Sequence, residues 1–259
     1  MHMVPMETET TPTIIRGDRK PGIISKILSE FSAAADPRAG DDLPPPFLFY
    51  VFALFATLAV LGSIVAAVYM APDTNPMFHF KEEGIVTALS SVCLAMASAL
   101  AAIVFYLQLK NWNTGTIFWF ILATGCLFLS LDEQLMFHER GGTAIANSQV
   151  GASQYFRNWN DLIVIGYGVV ALAIAKLFWR EILKCRVFAI LFAMGFFFYA
   201  VHTGIDSIVP SSAAWKDIPE EGAKLLSVFT LFLAVTAQLL AMVEKLSSML
   251  AGRGPRQAS

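Results

Sequence analysis

Charge is scarce in this chain. Asp, Glu, Lys and Arg make up 15% of its 259 residues, and the formal net charge is −2; a soluble domain carries about 25%. No basic excess exists to hold a polyanion, which argues against nucleic acid as a partner. Cysteine is scarce too: Cys93, Cys126 and Cys185 each stand alone and no CxxC occurs. That speaks against a disulfide framework and against a thiolate zinc site. P-loop, GxGxxG, GxSxG and HExxH patterns are absent, and with them the usual signatures of nucleotide, serine-hydrolase and zincin chemistry. The His-rich boxes of membrane desaturases are missing, and His138 and His202 lack the mid-helix placement of haem-ligating pairs. The first residues, MHMVPMETETTPTIIRGD, are polar and partly acidic. A secretory leader needs a basic start and an early apolar core, so the first apolar span is expected to double as the targeting signal.

What the chain has is apolar length. Hydrophobic residues reach 56% and mean hydropathy is +0.60. A spanning helix needs about 20 mostly apolar residues, and six stretches qualify: roughly 47–71, 84–108, 116–138, 161–179, 186–208 and 222–244. Prolines, glycines or charges bound each. The expected fold is all-α, a polytopic bundle of six transmembrane helices over 47–245. A cytoplasmic arm (1–46) precedes it and a cytoplasmic tail (246–259) follows. On that topology 13 Lys and Arg residues fall on one side and 5 on the other, which places both termini in the cytoplasm. The expected location is a bacterial inner (plasma) membrane. Within the arm, GIISKILSEFSAAA sets Ile23, Ile24, Ile27, Leu28 and Phe31 on one helical face. That suits a short helix lying on the bilayer or docking to a membrane-protein partner; a mostly disordered tail is the alternative.

The polar residues then fall in one place. His79, Glu82 and Glu83 open the second span. Asp132, Glu133, His138 and Glu139 end the third. Asp161 opens the fourth, His202 and Asp206 end the fifth, and Glu220 and Glu221 open the sixth. All lie on the non-cytoplasmic side, and at 1.5 Å per residue Asp132 sits about one turn inside the apolar slab. A charge there costs several kcal/mol unless it is compensated. His202 and Asp206 are i and i+4, and Asp132 and Glu139 are i and i+7, so each pair shares a face. Imidazoles and carboxylates converging from several helices suit a divalent metal such as zinc, iron or manganese. The expected ligands are His79, Glu83, His138, Glu139, His202 and Asp206, with Asp132 or Glu133 as general base. Plainer roles stand beside these. His202–Asp206 also reads as a hydrogen-bonded packing pair. Glu82, Glu83, Glu220 and Glu221 sit where the helix dipole favours acids. Glu220–Lys224 has the spacing of an i,i+4 ion pair. HFKEEGIVTALSSV (79–92) and DIPEEGAKLLSVFT (217–230) share EEG at a helix start, as two related hairpins would. The small-residue-rich segment 140–160 has the length of a lid.

The stretch Leu131-Asp132-Glu133-Gln134-Leu135-Met136 resembles the LDExxM of alkaline ceramidases. Their superfamily of transmembrane hydrolases also includes the adiponectin-receptor type. The resemblance covers six residues and implies a zinc ion, held by histidines, that activates water to cleave a lipid amide. Asp132 would then match the family's active-site aspartate. The chain departs from the pattern in having six expected spans where the family has seven. It has HxxxD at His202 and Asp206 where the family has HxxxH, and Ile121 where a histidine would precede the aspartate. The DE-to-HE helix end and EEG helix starts also resemble small bacterial multi-pass proteins of no assigned activity. Three functions follow as expectations. The first is a metal-dependent hydrolase acting on a lipid amide or ester. The second is a non-catalytic subunit of a larger membrane complex. The third is a transporter, weakened by the shortage of polar residues on the cytoplasmic half, where Ser98, Gln108 and Thr236 are among the few.

Overall fold

The computed structural model describes residues 44–72, 75, 77–81, 84–109, 112–148, 159–210, 213 and 215–251. The expected arm helix at 21–34 lies outside them, as do Glu82, Glu83 and residues 149–158 of the expected lid. No strand occurs among the described residues. The helices are α1 (Phe47–Tyr69), α2 (Ile85–Gln108), α3 (Thr114–Leu135), α4 (Phe137–Ala146), α5 (Trp159–Leu177), α6 (Trp179–Ile182), α7 (Arg186–Ile208) and α8 (Asp217–Ala251), with a 3₁₀ turn at Phe78–Phe80 before α2. Five stretches are long and apolar enough to cross a membrane: Phe47–Tyr69, Phe78–Gln108, Thr114–Leu135, Arg186–Ile208 and Asp217–Ser248. The chain is a multi-pass integral membrane protein. The sixth expected span forms α5, whose apolar part, Leu162–Leu177, is shorter than the other five.

Local chemistry accounts for the boundaries. Asn113 caps α3: its side chain accepts from the Gly115 and Thr116 N–H groups, and the Thr116 hydroxyl completes a capping box, which satisfies donors the helix leaves open. Pro46 precedes α1. The third expected span, 116–138, is broken at Met136, which takes a left-handed conformation (φ 53°, ψ 44°) while its N–H still donates to the Asp132 carbonyl. A new helix, α4, starts at once. His138 and Glu139 therefore belong to α4 and not to the helix that carries Asp132, and the i,i+7 face expected for Asp132 and Glu139 does not exist. The two EEG stretches also differ, because Gly84 caps α2 from outside whereas Gly222 lies within α8.

The long α8 is the hub. It packs along α7 and α2, and α3 packs along α2. Lipid tails are as apolar as leucine, so such helices associate through close backbone approach and interhelical hydrogen bonds. The sequence supplies both. Ala97, Ala101, Ala234 and Ala237 are fully buried. The Ser91 and Ser130 hydroxyls each lie 3.0 Å from the other's carbonyl, and Ser98 donates to the Ala123 carbonyl at 2.8 Å, joining α2 to α3. Ser227 donates to the Gly195 carbonyl at 2.9 Å, joining α8 to α7. Each such bond contributes about 0.6 kcal/mol. Two apolar clusters result. One runs through Val60, Phe80, Val86, Cys126 and Leu225. The other, at the opposite end of the bundle, is an aromatic knot of Phe118, Trp119, Phe178 and Phe188, with neighbouring ring centres 5.2–6.2 Å apart.

The outlying α5 is held differently. It packs against α4 and more lightly against α7. A Cβ on Gly142 would lie 2.7 Å from the Asn160 backbone nitrogen, and one on Gly168 would lie 2.8 Å from the Tyr199 ring. Both glycines are there because neighbouring atoms leave no room for a side chain. Gly142→Leu is therefore expected to lower the unfolding free energy by about 1–3 kcal/mol, the usual cost of overpacking. Gly62, with nothing within 4 Å of its Cβ position, should accept alanine with no loss; denaturant titration in micelles compares the two variants.

Candidate functional site

The polar residues do gather at one end of the bundle, in three knots. In the first, Asp132 is 4% exposed. Its Oδ1 accepts the His138 backbone N–H at 2.9 Å and its Oδ2 accepts the His138 Nδ1–H at 2.8 Å. The carboxylate thus caps α4 across the Met136 break and orients the imidazole in the same act. Glu139 Oε1 lies 3.7 Å from His138 Nε2. With carboxylates on both sides, His138 is pushed above its ordinary range. The hydrogen bond to Asp132 is the largest cause; burial opposes it, and the charges of Asp132, Glu139 and Glu133 add to it.

The second knot centres on Lys224 of α8. Its Nζ lies 2.7 Å from Glu221 Oε2 and 3.1 Å from Glu133 Oε2, and the Thr87 hydroxyl donates to Glu221 at 3.2 Å. One lysine therefore joins α3 and α8 and, through Glu221, α2. In the third knot Lys216 lies 2.7 Å from Asp206 Oδ1 and 3.5 Å from Glu220 Oε2. His202, also buried, donates from Nδ1 to the Glu220 carbonyl at 3.2 Å. The expected Glu220–Lys224 pair is replaced: Glu220 pairs with Lys216, and Lys224 with Glu221. His202 and Asp206 share a face of α7, as i,i+4 spacing requires, but turn to different partners.

The residues expected to ligate a metal are thus divided. His138 and Glu139 stand beside Asp132; His202 and Asp206 belong to the third knot; Glu83 is outside the described residues. His79, in the 3₁₀ turn, faces an outer vestibule of about 750 Å³ together with Lys81, Asp217, Glu220 and Glu221. Among the described residues no three His, Cys, Asp or Glu side chains are grouped so as to hold a metal ion. Lys216 escaped the sequence analysis as a site residue, and Lys224 entered it only as a partner for Glu220. The signal for them was available: they are basic residues on the side where basic residues are few, placed among acids.

The first two knots, with His202, Asp206 and Glu220 of the third, stand at the mouth of a second cavity of about 360 Å³. Its walls come from α2, α3, α5, α7 and α8, with α4 at the rim. Leu94, Phe118, Ile121, Leu122, Leu129, Phe192 and Leu231 make the deep part apolar, and Ile121 is the position where the resembled family carries histidine. Met136, Glu220 and Glu221 line both this cavity and the vestibule. The arrangement is amphiphilic, with hydrocarbon depth, a charged rim and a His–Asp pair at the boundary.

A family model described as a domain of unknown function, DUF8692, matches residues 48–239, which takes in every residue named at the cavity. No curated protein and no solved structure matches the chain.

Two predictions test the site. Lys224→Met leaves Glu133 and Glu221 facing each other without a cation and should cost about 3–5 kcal/mol. Adding Glu133→Gln should recover part of that loss, as read by unfolding in mixed micelles. For His138 the folded pKa is above the unfolded value of about 6.5. Its pairing with Asp132 therefore stabilises in full below about pH 6.5 and fades as pH rises through the raised value. The stability difference between wild type and His138→Gln should shrink between pH 6 and pH 9; a difference that grows would contradict the assignment.

Proposed function

We propose that this chain, which belongs to the DUF8692 family, is a membrane enzyme that binds an amphiphilic lipid in the cavity and hydrolyses an ester or amide at its mouth. The observation that carries the reading is the cavity itself: an apolar interior of about 360 Å³ ending at Asp132, His138 and Lys224. That volume lies within the roughly 300–1,000 Å³ of small-molecule sites. A hydrocarbon tail suits its depth and a polar head suits its rim.

In this reading His138 is the general base. Its Nδ1–H is engaged by Asp132, which leaves Nε2 to take a proton from water attacking the lipid carbonyl, a contribution of typically 10²–10⁴-fold. Asp132, expected as the base, becomes the positioning residue. Glu133, the other expected base, is engaged by Lys224. The resemblance to ceramidase-type hydrolases is consistent with the substrate class. An ion would restore the alternative of metal-activated water, although Asp132, His138 and Glu139 are not grouped as a ligand set and would have to regroup to hold it; one equivalent of zinc, iron or manganese in elemental analysis would select it.

The topology belongs to the same proposal. At 1.5 Å per residue the 19 residues of α5 span about 28 Å, close to the roughly 30 Å of a bilayer core. Asn160 near one end meets Gly142 at the polar mouth, while Phe178, just past the other, joins the aromatic knot. Six crossings follow, with both termini cytoplasmic by the Lys/Arg bias and an inner (plasma) membrane as the setting. The polar mouth then faces the outer leaflet.

Gly125 lines the cavity and has nothing within 4 Å of its Cβ position. Gly125→Phe fills the space while raising helix propensity. Native mass spectrometry of the purified full chain should show a lipid on wild type. Occupancy on Gly125→Phe should fall about tenfold or more, with tenfold corresponding to 1.4 kcal/mol. His138→Gln should keep the lipid and lose hydrolysis. Equal occupancy in wild type and Gly125→Phe would overturn the reading.

A further inference from the structure

We infer that the cavity takes a single-chain lipid sideways from the outer leaflet, through a portal between α3 and α5 latched by Phe128 and Tyr167. This rests on the lipid-binding reading above. The first observation is a mismatch between lining and packing. Ile121, Gly125 and Leu129 of α3 line the cavity, as do Val164, Gly168 and Ala171 of α5. Yet these two helices make no extended contact with each other; α5 is carried by α4 and α7. The cavity thus extends into the gap between α3 and α5.

The second observation is what lies across that space. The rings of Phe128 and Tyr167 meet edge to face with centres 5.7 Å apart. Phe128 also stacks on Phe137 and is 46% exposed. A single edge-to-face contact is a light latch. It sits just below Asp132 on α3, at the depth where a lipid's chain gives way to its head.

The other routes are unfavourable. The inner end is closed by the aromatic knot of Phe118, Trp119 and Phe188. The aqueous mouth is ringed by Glu133, Glu221 and Lys224, so a tail arriving that way would leave hydrocarbon, cross water and pass charges. Sideways movement keeps the tail in hydrocarbon and the head at the interface throughout. The length also fits one tail. From Phe118 to Asp132 is 14 residues along α3, about 21 Å, more than half of a roughly 30 Å bilayer core.

The test uses the full chain bearing Phe128→Cys and Tyr167→Cys. The native cysteines are buried and stay in place. A short bismaleimide with a cleavable disulfide closes the pair, and closure is verified by mass. The protein is then mixed with phosphatidylcholine vesicles containing a brominated single-chain phospholipid, and uptake of the brominated mass is followed by native mass spectrometry. Cross-linking should slow uptake at least tenfold, and reduction of the linker should restore it. Phe128→Ala, a change at a lipid-exposed position, should speed uptake several-fold. Unchanged uptake in verified cross-linked protein would overturn the portal while leaving lipid binding intact. Retention of two-chain phospholipid instead would overturn the single-chain assignment. Absence of any lipid mass on wild type and on both variants would overturn the lipid-binding reading from which the portal follows.

Discussion

The polar end of this bundle depends on one cation. Glu133 and Glu221 stand on different helices, largely buried at the rim of the cavity where water screens them only in part, and Lys224 lies 3.1 and 2.7 Å from them. In such surroundings two carboxylates repel strongly and each is expensive to desolvate. With Lys224 between them the same charges become a tie from α3 to α8, and Thr87 extends it to α2. Remove the cation and the group of three becomes a repulsive pair. The placement of the C-terminal end of α3, and hence of Asp132 one residue before Glu133, follows from that tie. Asp132 in turn sets the start of α4 and the orientation of His138. The orientation of His138 at the mouth is therefore two ion-pair steps removed from the packing of the hub helix.

That chain of dependence explains which parts were legible beforehand. Long apolar runs bounded by prolines such as Pro46 and Pro210 announced most of the helices, because lipid demands backbone satisfaction within each segment and leaves few other solutions. The collection of acids and imidazoles at one end was legible for the same reason. The break at Met136 was not. A left-handed residue is usually announced by glycine or asparagine, and here it falls in Leu135-Met136-Phe137, with Gly141 and Gly142 well beyond. Reading helix periodicity through the break put Glu139 on the wrong face and hid the bond between Asp132 and His138. The choice of Lys224 partners was equally hidden. Glu220 and Glu221 are both within reach of Lys224 by spacing, and only Glu133, 91 residues away in sequence, draws the lysine toward Glu221.

The bundle also divides into firmly and lightly packed parts. Between α2 and α3 and between α7 and α8, serine hydroxyls bond to backbone carbonyls across close-packed small residues. The α5 helix has instead two steric fits, at Gly142 and Gly168, and a Tyr199 hydroxyl bonded to the Val164 carbonyl. Elements with few buried contacts open at the lowest free energy. The cavity lies beside this lightly packed element.

The distribution of polarity bears on what such a cavity can do. A carrier needs polar groups along both halves of its path, since its cargo must be met by each side in turn. Here the charged groups that line the cavity end near the level of Asp132, and below them on α3 come Leu129, Leu122, Ile121 and Phe118. The rings of Phe118, Trp119, Phe178 and Phe188 then close the inner end, buried and in contact with one another. Opening that end would break several aromatic contacts and expose large apolar side chains, whereas opening toward the bilayer parts one. Among the described residues that line the deep part of the cavity none is charged, which suits a hydrocarbon tail better than a charged solute. The asymmetry favours a ligand that is itself asymmetric and that arrives and leaves on the same side of the membrane.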